Sequence, residues 1–151
     1  MRRRLIRVGA LAVGLIAINA VARLVVRFWH QFNFDAQDRI AMISLGAVAI
    51  TMAVVALVWG RRFPQGVAVA DLGIAAAIGG LVSILAGPLI AGFSPFREGT
   101  AGFFSQVGLY AGFAGGGALI GMCVLIALGQ DHRSRSLQRY AESRLARPRR
   151  V

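Results

Sequence analysis

Lysine is missing from this sequence: all seventeen basic residues are arginine. Acids are scarce too, six in 151 residues, so the interspersed charge that keeps a soluble domain in water is not available. Charged residues make up 15% and apolar residues 57%, against roughly 25% and 45–50% in soluble domains. One cysteine, Cys123, rules out an intrachain disulfide and any cysteine-built metal site, and its place in an apolar run suits a small buried hydrophobe. Two histidines, His30 and His132, lie outside the apolar runs, so no paired-histidine haem site can form within a bilayer. The first apolar run carries Asn19 and no acid, unlike the membrane-embedded glutamate of small multidrug exporters. His30, Asp35 and Asp38 share a short segment but match no metal-ligand spacing. No cluster of acids, bases or nucleophiles suggests an active site, so no cofactor and no enzymatic activity are expected.

What the sequence does have is long uncharged apolar stretches. A spanning helix needs about 20 such residues to cross about 30 Å of hydrocarbon. Ile40–Gly60, Leu72–Phe93 and Ala101–Leu128 meet this outright. The first stretch is harder, because only fifteen uncharged residues separate Arg7 from Arg23, a reach of about 23 Å. Extending it to Val26 puts Arg23 inside the helix, where its guanidinium snorkels toward the headgroups beside Phe28 and Trp29. Val8–Val26 is therefore the first expected span. A second reading stays open, since basic Arg2–Arg7, apolar Val8–Ile18 and Ala20-Val21-Ala22 also have the form of a signal peptide cleaved after Ala22. The apolar run that resumes at Leu24 favours a retained helix.

The expected fold is therefore all-α: a polytopic membrane protein with four transmembrane helices as two antiparallel hairpins, over residues 1–128. A basic tail follows over residues 129–151. An N-in start puts Arg2, Arg3, Arg4, Arg7, Arg61, Arg62 and seven tail arginines on the cytoplasmic side, against Arg23, Arg27, Arg39 and Arg97 outside. That asymmetry places both termini in the cytoplasm. The arginine-only, Ala- and Gly-rich composition suggests a bacterial gene and hence the cytoplasmic (inner) membrane. Short turns at Arg61–Gly66 and Ser94–Thr100, with Thr100 as a plausible N-cap, place successive helices side by side. Both halves run in the same sense, so no inverted repeat is present.

Gly108, Gly112 and Gly116 recur every four residues in the last span, and Gly117 and Gly121 repeat the spacing. In lipid no hydrophobic drive brings helices together, so small residues mark close backbone contact. The expected partner of this face is the third span, through Gly73, Ala76, Ala77, Gly80 and Gly87; the alternative is a second copy or another membrane protein. Asn19, Arg23, Ser44, Gln106 and Tyr110 all fall in the outer half, where they either form interhelical hydrogen bonds or line an outward-facing polar pocket. Asp71 enters the third span near its start, where an acid complements the helix dipole and Arg61 and Arg62 lie near in sequence. In the tail, Leu137, Tyr140, Ala141 and Leu145 form one helical stripe flanked by Arg135, Arg139 and Arg147, a pattern suited to anionic lipid headgroups. Nucleic acid is a poor partner for this charge, because no recognised fold or aromatic interleaving accompanies it. The leading expectation is a non-enzymatic accessory, scaffold or assembly subunit of a membrane complex; the alternative is a small oligomeric transporter or channel using the polar pocket.

Overall fold

The computed structural model describes residues 2–29, 34–92, 94, 96, 99–130 and 132–145. Five helices follow one another: α1 (Arg2–Trp29), α2 (Phe34–Arg62), α3 (Gln65–Ala91), α4 (Gly99–Ala127) and α5 (His132–Leu145). The first four are long and apolar enough to cross a membrane. Each begins before its apolar run, and α1 and α2 do so through arginine, a good helix former. The 28 residues of α1 make a helix about 42 Å long, which crosses the hydrocarbon with a turn or more to spare at each end. The shortness of the run between Arg7 and Arg23 is resolved in this way, with Arg23 inside a continuous helix. Asp71 likewise lies in the second turn of α3, because that helix starts at Gln65 directly after Pro64. Thr100 is inside the first turn of α4 rather than capping it. Helix α3 stops at Gly92, whose φ of 87° is open to glycine, with its N–H donated to the Leu89 carbonyl at 3.1 Å.

Helices α1 to α4 pack as a four-helix bundle of two antiparallel hairpins, α1–α2 and α3–α4. The tightest interfaces run between the hairpins: α1 lies on α3 and α2 on α4, each pair parallel. Consecutive helices touch less closely, contrary to what the short turns imply. The chain between α2 and α3 crosses the bundle diagonally, so α1, α3, α4 and α2 follow one another around it. Glycine explains the α2–α4 interface. A Cβ at Gly117 or Gly121 would collide with the backbone of Ala49 or Ala53, and one at Gly60 with the Leu125 side chain. The glycine face of α4 therefore divides. Gly117 and Gly121 pack on α2, not on the third span as expected, while Gly108, Gly112 and Gly116 have open space on their Cβ side. The small residues of α3 serve other helices: Gly79 and Gly80 accept Leu15 of α1 and Tyr110 of α4, and Gly87 accepts Arg23.

The core joins Leu11, Leu15, Val48, Met52, Leu72 and Leu125. Val8, Leu11, Ala12 and Leu15 are all buried, so cutting the chain after Ala22 would strip α3 of its partner. Around the outside, Val13, Val21, Ile43, Ile50, Leu81, Leu119 and Ile120 are each more than half exposed. An apolar belt of this kind has lipid, not water, as its solvent. The protein is a multi-pass membrane protein whose outer surface contacts the bilayer. Helix α5 lies beyond the bundle and touches α2, with Leu137 and Tyr140 exposed.

Candidate functional site

At one end of the bundle the four helices close on each other. This end holds the start of α1, the end of α2, the start of α3 and the end of α4. Arg4 and Asp71 pair at 2.6 Å, joining α1 to α3. Asp71 is 1% exposed and Arg4 about half exposed, so the carboxylate is held in the bundle by a cation reaching in from the interface. Its partner is thus Arg4, not Arg61 or Arg62, and a dipole role is weak because Asp71 lies beyond the first turn, where that field has faded. One turn along α1, the Arg7 guanidinium lies over the Phe63 ring at 3.9 Å and near Trp59 at 5.9 Å. This end of the bundle is ionic at its rim and apolar beneath.

The opposite half is different. A cavity of about 540 Å³ opens there, lined by all four helices and by Ser94. Asn19, Arg23 and Val26 come from α1; Gln37, Asp38, Ser44 and Leu45 from α2; Ser83, Ile84 and Pro88 from α3; Ser105, Gln106, Leu109 and Tyr110 from α4. From Gly102 to Tyr110 its wall descends about 12 Å along α4. Below it lie Leu15, Val48 and Met52, almost completely buried. The cavity is therefore a cup whose wall mixes polar and apolar side chains above an apolar floor.

Asn19, Arg23, Ser44, Gln106 and Tyr110 all lie on this one cavity. The expectation that such polar groups bond across helices is not met by two of them, nor by Thr51 farther along α2. Asn19 donates to the Leu15 carbonyl at 3.1 Å, Ser44 to Ala41 at 2.8 Å and Thr51 to Ala47 at 2.8 Å, each within its own helix. Short polar side chains in a helix reach their own previous turn before they reach a neighbour. Two buried hydroxyls behave otherwise: Ser83 Oγ and Tyr110 Oη have no protein partner. Ser83 does not stand out in the sequence, because a lone serine in an apolar run gives no pattern. The signal present was its position midway between Gly79 and Gly87, which puts three small residues on one face of α3. Nearer the loops, Arg27 Nη1 donates to the Ile90 carbonyl at 2.9 Å, satisfying a carbonyl in the last turn of α3.

Of the proposed headgroup contacts, Arg135 is exposed on α5 and Arg139 lies in the same helix, while Arg147 falls outside the described residues. His30 falls outside them too, and among the described residues no group of three or more His, Cys, Asp or Glu side chains could hold a metal. Cys123 is exposed on α4, on the lipid side rather than buried. The chain is thus a four-helix membrane bundle with a polar cup at one end, and it matches no protein-family model, no curated protein and no solved structure.

Proposed function

We propose that the protein is a small, non-enzymatic solute-binding membrane protein of the transporter type, taking a polar solute into the cup. The observation that carries this reading is the asymmetry of the interior: a polar cavity of about 540 Å³, lined by every spanning helix, above a tightly packed apolar floor. A pocket of this size with a few convergent polar groups is the usual form of a small-molecule site. The arginine-rich end then lies in the cytoplasm, because basic loops and tails are retained on that side. The cup accordingly faces outward, and α5 lies along the inner leaflet with Arg135 near anionic headgroups.

Thiol labelling tests this. In a Cys123→Ala background, Ser105→Cys and Leu45→Cys are expected to react with a membrane-impermeant maleimide added to intact cells, and Gly66→Cys at the other end is not. Protection of both cavity cysteines from the reagent, with Gly66→Cys labelled instead, would overturn the reading.

A second reading, an accessory or scaffold subunit or a homo-oligomer, is favoured by one observation. Gly108 and Gly112 are exposed on α4 with nothing facing them, a surface another helix can approach closely. On this reading Gly112→Leu dissociates a complex seen in mild detergent. A monomer before and after the substitution excludes it.

A further inference from the structure

Leu15 of α1 and Tyr110 of α4 meet on α3 at Gly79, where a Cβ would lie 3.1 Å from Leu15 Cβ and 3.2 Å from Tyr110 Oη. That meeting point is the floor of the cup. Helices α1 and α4 run in opposite directions, so one turn above the floor is four residues later on α1 and four earlier on α4. Those positions are Asn19 and Gln106, and both line the cavity. The same step from Val48 on α2 gives Ser44, and from Gly79 on α3 gives Ser83. Two carboxamides and two hydroxyls therefore form a belt around the bottom of the cup, one residue from each spanning helix.

The hydroxyls are closed to a solute: Ser83 Oγ is sealed by burial, and Ser44 donates to the Ala41 carbonyl. The carboxamides are open. Gln106 is only partly buried, and among the described residues neither its oxygen nor its nitrogen has a partner. Asn19 donates from Nδ2 to the Leu15 carbonyl, which leaves its Oδ1 unmatched. A carboxamide left incomplete at this depth in a membrane is costly, so its complement comes from the contents of the cavity. The belt itself carries no charge. Arg23, one turn above Asn19, is already engaged and is not offered to an anion, while its charge repels an ammonium from Asn19. Asp38 lies six residues from Ser44 toward the mouth, about 9 Å away along α2.

Resting on the solute-binding reading above, we propose that the cup takes a small uncharged solute bearing a primary amide, a carboxamide or a urea, read by Gln106 and Asn19. The C=O and one N–H of such a group pair reciprocally with the N–H and C=O of Gln106, and its second N–H meets Asn19 Oδ1. A carboxylate has no proton to donate, an amidinium has nothing that accepts, and an alcohol has a single hydrogen. Ile84, Leu109 and Val26 line the same cavity and suit an aliphatic body. The test is equilibrium binding to the full chain in lipid nanodiscs, with empty nanodiscs as the blank and four probes of similar shape. These are isobutyramide, isobutyrate, isobutyramidinium and isobutanol. Saturable binding of the amide is expected, with each of the others about ten-fold weaker or more. Gln106→Met and Asn19→Leu each weaken it about five- to ten-fold. Gln106→Glu, which exchanges the N–H edge for a charged acceptor, turns the preference toward the amidinium. Ser83→Ala, whose hydroxyl is out of reach, leaves affinity unchanged. Because Gln106 has no partner in the protein, an unaltered melting profile in Gln106→Met separates loss of binding from loss of fold. No saturable amide binding overturns the proposal, as does equal binding of the alcohol or either ion, or affinity unchanged in both Gln106→Met and Asn19→Leu. Tighter binding of an ion than of the amide would leave the solute-binding reading standing and remove only the amide. A cup closed to the maleimide reagent would remove both.

Discussion

In the arginine-rich half of the bundle, α2 and α4 meet backbone to backbone at Gly117 and Gly121, and Arg4 and Asp71 fasten α1 to α3. In the other half the same four helices stand apart around the cup, and polar side chains face the gap. Both halves are built on glycine, used in opposite ways. Gly117 and Gly121 admit another backbone and leave no space; Gly79, Gly80 and Gly87 admit the Tyr110 side chain and the Arg23 stem and so furnish a wall. The comparison shows that small residues in a membrane helix specify proximity, while the partner that arrives decides between closure and a site.

The largest effect is expected where backbones touch. Gly117→Val and Gly121→Val must force α2 and α4 apart, costing about 3 kcal/mol each, whereas Gly112→Val, facing open space, stays within about 0.5 kcal/mol. Thermal unfolding in detergent compares them, and equal losses at the packed and open positions would erase the distinction between the two kinds of glycine. Next comes the ion pair. Arg4→Ala leaves the buried Asp71 carboxylate without its cation, for a loss of about 2 kcal/mol, tempered by the half-exposure of Arg4. Adding Asp71→Asn should recover part of this, and a strictly additive double variant would show the pair to be uncoupled. Smaller still is Gly80→Ala. Its Cβ would lie 2.6 Å from the Tyr110 ring, so the ring must shift at a cost of about 1 kcal/mol, read as a lower melting temperature. Smallest is Ser83→Ala, which removes an unpartnered buried hydroxyl and is expected to leave stability unchanged or raise it by about 0.5 kcal/mol. A marked loss there would mean that the Ser83 hydroxyl contributes to the fold.

Much of the fold was legible because the bilayer imposes a simple rule. Backbone groups in hydrocarbon must be satisfied within the segment, so each uncharged run long enough to cross becomes a helix. The ends were less legible: α1 and α3 start six or more residues before their apolar runs because arginine and glutamine extend a helix as readily as they end a span. For the cup, Asn19, Arg23, Ser44, Gln106 and Tyr110 could be grouped by depth alone, since helices of known direction put them at one level. Ser83 could not, because its relevance comes from where Tyr110 and Arg23 reach across to α3. Asp71 shows the same limit: its nearest arginines in sequence are Arg61 and Arg62, and the one that pairs with it is Arg4, sixty-seven positions away.

By itself the sequence determined that lipid surrounds this chain, that it holds four stretches able to form spanning helices, and that polar groups gather in one half. Those properties follow from length and transfer free energy, which are additive along a chain. Which helix lies on which was decided only in three dimensions. A small-residue face is equally able to meet any neighbour, and the choice of α2 for Gly117 and Gly121, of Tyr110 for Gly79 and Gly80, and of Arg23 for Gly87 depends on how all four helices share the space.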